Sequence, residues 1–224
     1  MPRPPDSLIV AAAHDNAAWC AAVCRANGIG SRVRDGLWTA DGPTPDGYPE
    51  AVTLTPGLSP DRVAEALPAG ARSVKDSFAD VDLGDHGFRV LFDASWIVHE
   101  PGSESALAVT PAPALHAVST ADEYAAWAAL HGGTAFAPAL LDDPRVVVLA
   151  GGDPLTHGAV LTDAGDVVGL SNVVGEASAY RAAAAEAASR FPGRIVVGWE
   201  AGEDLATATA AGFTAIGDLR VWLR

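Results

Sequence analysis

Residues 194–223 run RIVVGWEAGEDLATATAAGFTAIGDLRVWL. They divide into a strand, Arg194–Glu200, a short helix, Glu203–Ala211, a Gly212-Phe213 pair and a last strand, Thr214–Leu223, with Trp222 near its end. Well upstream, Trp127 sits on an Ala-rich helix. The same succession occurs once before: Trp19 on an Ala-rich helix, a strand at Ser73–Ser77, Gly87-Phe88, and a strand at Val90–Trp96. Two copies of one supersecondary plan imply an α/β chain built from two related halves. The Trp residues that recur at equivalent points read as core anchors rather than an aromatic cage.

Working outward, the second half begins with a strand at Leu115–Val118. Thr120-Ala-Asp-Glu123 is a capping box that opens the helix of Tyr124, Trp127 and Leu130. Strands follow at Arg145–Ala150, Gly158–Leu161 and Val167–Val174, separated by turn residues. The helix Ala179–Phe191 ends at Pro192-Gly193, and it is long enough to set Val167–Val174 parallel to Arg194–Glu200. The pattern predicts a mixed central sheet with flanking helices. In the first half, Ser7–Ala13 has strand character, and His14–Asp15 begins a helix carrying Ala18, Trp19, Val23 and Cys24. Leu37–Ala40 and Ala51–Leu54 are short β-rich runs, and Ser59-Pro60-Asp61 is a helix start. Glu100–Pro113 reads as a linker. The organisation expected is a degenerate half at 1–100, a linker at 101–113 and a second half at 114–224.

A chain of 224 residues with 49% hydrophobic and 19% charged residues describes a globular protein with a core. The longest apolar runs fall short of a bilayer span, and no secretion signal opens the chain. The expectation is a cytoplasmic protein without a membrane partner. A net charge of −14 argues against nucleic acid, whose binding needs many Lys and Arg. Lys75 is the one lysine in the chain. Cys20 and Cys24 lie one helical turn apart, where a disulfide would stabilise little. With His14 they match no zinc spacing, so no metal is expected and the thiols read as reduced and core-facing.

Over about 110 residues, Leu115–Arg224, this order of elements resembles the GNAT superfamily of acyl-coenzyme A N-acyltransferases, best over the last thirty. The first half is similar to a worn copy of the same unit, as in tandem members. The resemblance implies acetyl-coenzyme A or another acyl-coenzyme A as cofactor and a small-molecule acceptor. It also implies that Val167–Val174 splays from Arg194–Glu200, so that backbone at Leu170, Ser171, Asn172 and Val174 holds the pantetheine arm. Glu200 or Asn172 would then act on the acceptor, Glu200 as base, with a surface carboxylate as the plain alternative. Gly169 inside its strand marks either a close approach of a ligand or a tight packing spot.

Two features depart from the family pattern. The pyrophosphate loop is replaced by Gly175-Glu-Ala-Ser-Ala-Tyr-Arg181, with one Gly and an acid where amides would bind phosphate. Ser178 can still cap a helix there, and Arg181 adds one positive charge. The family's Tyr acid falls on Thr209, too weak an acid for the role; Tyr180 and Tyr124 are the other candidates. Two functions therefore stand side by side: a GNAT-like acyltransferase, or a non-catalytic GNAT-like module or repurposed fold. The oligomeric state is open, with a homodimer as one option.

Overall fold

The computed structural model describes residues 5–102, 114–132 and 135–224, so residues 103–113 of the expected linker lie outside the described residues. α1, Pro5–Ala26, opens the fold. The strand expected at Ser7–Ala13 is instead the start of this helix. Leu8, Ala12, Ala13, Ala17, Cys20 and Cys24, spaced by four, one, four, three and four residues, are all buried and fall on one helical stripe. A short apolar run does not distinguish strand from helix by itself, and the Ala-rich continuation decides it. Asp6–Ala26 is also long and apolar enough by composition to span a membrane, at a mean hydropathy of 1.2, contrary to the expectation that no run would qualify. Within the fold 61% of that stretch is buried, as in a core helix.

Before the linker come β1 (Ser31–Arg34), β2 (Leu37–Ala40), β3 (Ala51–Thr53), β4 (Ser73–Asp76) and β5 (Arg89–His99). After it come β6 (His116–Ala117), β7 (Val146–Gly151), β8 (His157–Asp163), β9 (Val167–Val174), β10 (Ile195–Glu200) and β11 (Thr214–Leu223). α2 (Pro60–Ala66) joins β3 to β4, and α3 (Ala121–Leu130) follows β6. α4 (Ala177–Arg190) joins β9 to β10, and α5 (Gly202–Ala210) joins β10 to β11. Ser59 accepts from the Arg62 amide at the start of α2, and Thr120 accepts from the Glu123 amide at the start of α3.

All eleven strands form one sheet in the order β1-β2-β3-β4-β11-β5-β10-β9-β8-β7-β6. β3 pairs parallel with β4 and β9 with β10, each across a helix; the other neighbours are antiparallel. β5 lies between β10 and β11, and β11 lies between β4 and β5, so the strands from either side of the linker interleave. Gly87 and Gly212 take left-handed φ values of 81° and 101° and turn the chain into β5 and β11, each followed by a buried Phe. The offset that carries Gly87 onto Gly212 also carries Ala94 onto Leu219, and these two face each other across β5 and β11. Pairing senses therefore read alike outward from that point.

Both faces of the sheet are covered near β10. Alternate residues of β5 serve opposite faces. Trp96 packs under α1 with Cys20, Val197 and Leu219, and Ile97 packs under α4 and α5 with Leu170, Val196 and Phe213. The Trp96 indole N–H donates to the Ser77 carbonyl at 2.7 Å.

α1 is tied to β8 and β9 by Asp15. Thr162 Oγ1 donates to Asp15 Oδ1 at 2.8 Å, and the Gly169 amide donates to the same carboxyl group. A Cβ on Gly169 would lie 1.9 Å from Asp15 Oδ2, so of the two readings of this glycine, tight packing against a helix side chain is the one the fold uses. Burial pushes Asp15 up to about 7, against the two hydrogen bonds that favour its charge. A raised carboxyl pKa means that the folded state prefers the protonated group. This contribution to stability is complete below about pH 4 and is lost as pH rises to about 7, roughly 4 kcal/mol in all. Asp15→Asn is neutral at every pH and keeps an acceptor oxygen. It is expected to flatten the fall in Tm between pH 4 and 7 relative to wild type, which paired thermal melts check.

Candidate active site

β9 and β10 pair only from Val167–Ile195 to Gly169–Val197. One step further, Gly198 lies so close to the Leu170 carbonyl that a Cβ would sit 2.7 Å from its oxygen. Beyond this point a cavity of about 370 Å³ takes in Ser171, Asn172 and Val173 on β9 and Trp199 and Glu200 on β10. α1 supplies Asn16, Trp19 and Cys20 to its wall, β4 supplies Lys75, α4 and α5 supply Tyr180 and Asp204, and the Asp46–Pro49 segment, His131, Ala135 and Phe136 complete it.

The β9 wall is bulged. Gly158 pairs with Val174 and Val160 with Ser171, so Asn172 and Val173 stand opposite Ala159 alone. Asn172 takes φ +52°, a left-handed conformation that Asn tolerates better than other residues with a side chain. Its Nδ2 donates to Ser171 Oγ at 3.0 Å, and its side chain also hydrogen-bonds the Tyr48 hydroxyl. Trp19 meets Tyr48 edge-on, with ring centroids 6.2 Å apart.

Glu200 ends β10. Its Oε1 accepts from the Tyr180 hydroxyl at 2.7 Å. Burial pushes Glu200 up to about 7, Asp204 adds to that, and the Tyr180 hydrogen bond and Lys75 oppose it. This carboxylate is therefore near half-ionised at neutral pH, the range that suits a general base. Burial and the nearby carboxylate hold Tyr180 well above the usual phenol range.

Lys75 is only 4% exposed. Its Nζ donates to Asn16 Oδ1 at 3.0 Å and lies 4.0 Å from the centroid of the Trp199 ring, which stacks on Phe92. Burial pulls the ammonium down to about 8, against the pull of the Glu200 carboxylate. Burial likewise pushes the Cys20 thiol up to about 12, which leaves it protonated and inert as a nucleophile. His131 lies tilted against Trp127 at the rim, with centroids 4.3 Å apart, and burial pulls it down to about 4, so it is neutral.

Of the residues singled out from sequence, Ser171, Asn172 and Glu200 come together here. Open backbone begins at Ser171 rather than at Leu170, whose carbonyl is against Gly198 and whose side chain is in the core. Val174 pairs with Gly158 at the end of β9. Arg181 lies half-buried on α4, next to Tyr180, and is not among the residues lining the cavity. Ser178, expected as a cap, lies inside the first turn of α4; Glu176 is the cap residue, with no side-chain cap hydrogen bond. Thr209 is exposed and donates to the Leu205 carbonyl, and Tyr124 donates to the Ala137 carbonyl in a separate core, so Tyr180 is the tyrosine beside Glu200.

Sequence reasoning missed Lys75, Asn16 and Tyr48. The available signal was a single lysine inside a β-run, flanked by Val74 and Asp76, in a chain with a net charge of −14.

The cavity partly fits an acyl-pantetheine arm and its diphosphate. The splayed edge of β9 offers backbone, and the first turn of α4, whose residues 177–179 lie outside the cavity lining, has no side-chain cap competing for its amides, although the Ala179 amide already donates to the Glu176 carbonyl. Glu176 is the ill-fitting group.

No protein-family model matches the chain, and no curated protein matches it in sequence. Solved structures do match. A GCN5-related N-acetyltransferase from Kribbella flavida superposes with a TM-score of 0.62 over 95% of each chain at 18% identity. A protein assigned to the GNAT family from Novosphingobium aromaticivorans gives 0.54 over 92% of this chain and 94% of its own at 16% identity. A conserved protein of unknown function from Staphylococcus epidermidis gives 0.51 over 69% and 73% at 11% identity. Identities this low speak to architecture alone: the chain has the fold of the GCN5-related N-acetyltransferases.

Proposed function

We propose that the protein is a GNAT-type acyltransferase that acylates the amine of a small molecule, using an acyl-coenzyme A thioester. The observation that carries this is Glu200, a half-buried carboxylate pushed up to about 7 at the point where β9 and β10 part. Bound there, the thioester supplies an activated acyl carbonyl. Glu200 takes the proton from the acceptor ammonium, and the Tyr180 hydroxyl holds the carboxylate in place. Asn172, on its bulge, orients the amine. Backbone at Ser171, Asn172 and Val174 holds the pantetheine arm, the α4 amides take the diphosphate, and Arg181 adds charge beside them. The enzyme works in the cytoplasm on small molecules, without nucleic acid or membrane. Its architecture derives from two related units, 1–100 and 114–224 joined through 101–113, that have exchanged their last strands; the alike pairing on either side of β5 and β11 supports this.

Calorimetric titration with acetyl-coenzyme A and longer acyl thioesters, followed by thiol release over a panel of amines, tests this function. Saturable heat and amine-dependent release are expected. No heat at millimolar thioester overturns it. One feature favours a second reading, a ligand-binding module without coenzyme A: exposed Glu176 stands where the diphosphate would sit, in a chain whose net charge already repels polyanions.

A further inference from the structure

The cavity holds two opposite charges that act on each other at a distance but form no ion pair among the described residues. Among the described residues, Lys75 makes one hydrogen bond, to the neutral Asn16 side chain, and one ring contact, with Trp199, and no carboxylate lies within ion-pair distance of it. Two of the three ammonium donors are unspent. A buried cation left this way is costly unless something pairs with it. Glu200 uses Oε1 on Tyr180, and its other oxygen has no donor among the described residues. Both groups line the same cavity, with Trp199 between them: it is the neighbour of Glu200 on β10 and carries Lys75 over its ring.

We propose that the acceptor is an amino acid, or another small amine bearing a carboxylate, with its carboxylate on Lys75 and its amine at Glu200. This names the substrate class for the activity proposed above and rests on that reading. A zwitterion supplies the counter-charge each group lacks, and one ammonium suits a monoanion. A phosphate dianion needs more positive charge than one lysine gives, and the acidic protein disfavours it further. Trp19, Tyr48 and Trp199 leave apolar wall for the rest of the molecule.

The test compares the standard amino acids, β-alanine and γ-aminobutyrate with their methyl esters, which keep the amine and lose the carboxylate charge. Affinity is read by calorimetry on the full chain, and turnover by thiol release. At least one acid is expected to bind ten-fold or more tighter than its ester. Lys75→Met should erase that preference, Lys75→Arg should keep part of it, and both should leave acyl-coenzyme A binding intact. Esters binding as well as acids throughout the wild-type panel would overturn the proposal, and this comparison decides it even if Lys75→Met fails to fold. A preference that persists in folded Lys75→Met would also overturn it. Acyl transfer to amines without carboxylate preference sinks the substrate class and leaves the acyltransferase standing. Carboxylate preference without any thioester binding does the reverse.

Discussion

Gly169→Ala is expected to destabilise the protein by about 3 to 5 kcal/mol. The new Cβ would lie 1.9 Å from Asp15 Oδ2 and 2.2 Å from Thr162 Oγ1, well inside contact distance. Neither neighbour can turn away without loss. Asp15 is 6% exposed and accepts from both the Thr162 hydroxyl and the Gly169 amide, so moving it leaves buried polar groups unpaired. Overpacking of this kind costs about 1–3 kcal/mol and each unsatisfied buried group about as much again. Urea denaturation of Gly169→Ala, Asp15→Ala and the double variant measures it. If the clash with Asp15 is the cause, the glycine substitution is much milder in the Asp15→Ala background, with a coupling of 1 kcal/mol or more. A Gly169→Ala protein that unfolds like wild type would remove this contact from the account of how α1 is held.

The same glycine marks the boundary of what a single sequence discloses. An interruption inside Val167–Val174 is visible locally, but its cause is a side chain on a helix near the other end of the chain. Local signals carried well. Leu37–Ala40, Val167–Val174 and Thr214–Leu223 are strands with the expected ends, because alternation, β-branching and turn residues act over a few positions. The Ser59 and Thr120 caps hold for the same reason. Leu8-Ile9-Val10 misled, since three apolar residues suit either element until the buried stripe through Cys24 is considered.

Strand order was the larger gap. Nothing local to Arg89–His99 says that it will pair with β10 and β11 rather than stay beside β4. That strand order bears on the site. Lys75 of β4 reaches the cavity of β9 and β10 across a sheet whose centre is the β5–β11 pair, and Asn16 and Tyr48 arrive from segments far upstream. A site sought only in residues 114–224 finds Glu200 and Asn172 and misses the cation that faces them.

Glu200→Gln is expected to lower the rate of acyl transfer by about 10²- to 10⁴-fold, the usual contribution of a general base, while acyl-coenzyme A binding stays intact. Glutamine keeps the shape and can still accept from Tyr180, so the loss reports proton transfer rather than packing. The sign of the pH dependence follows from the direction of the shift. Glu200 must be ionised to act, and burial has pushed it up to about 7, so kcat/KM should rise through that pH; with a carboxylate-bearing acceptor it should fall again as Lys75 loses its proton near 8. The variant should lack the rising limb. Two neighbours move the limb in opposite directions. Asp204 raises the Glu200 pKa, so Asp204→Asn should shift the limb to lower pH, by an amount that shrinks as salt screens the exposed charge. The Tyr180 hydrogen bond lowers that pKa, so Tyr180→Phe should shift the limb upward. Steady-state rates from pH 5.5 to 9 on the three variants measure this. A limb that neither substitution moves, or that survives in Glu200→Gln, belongs to another group and removes Glu200 from the role of base.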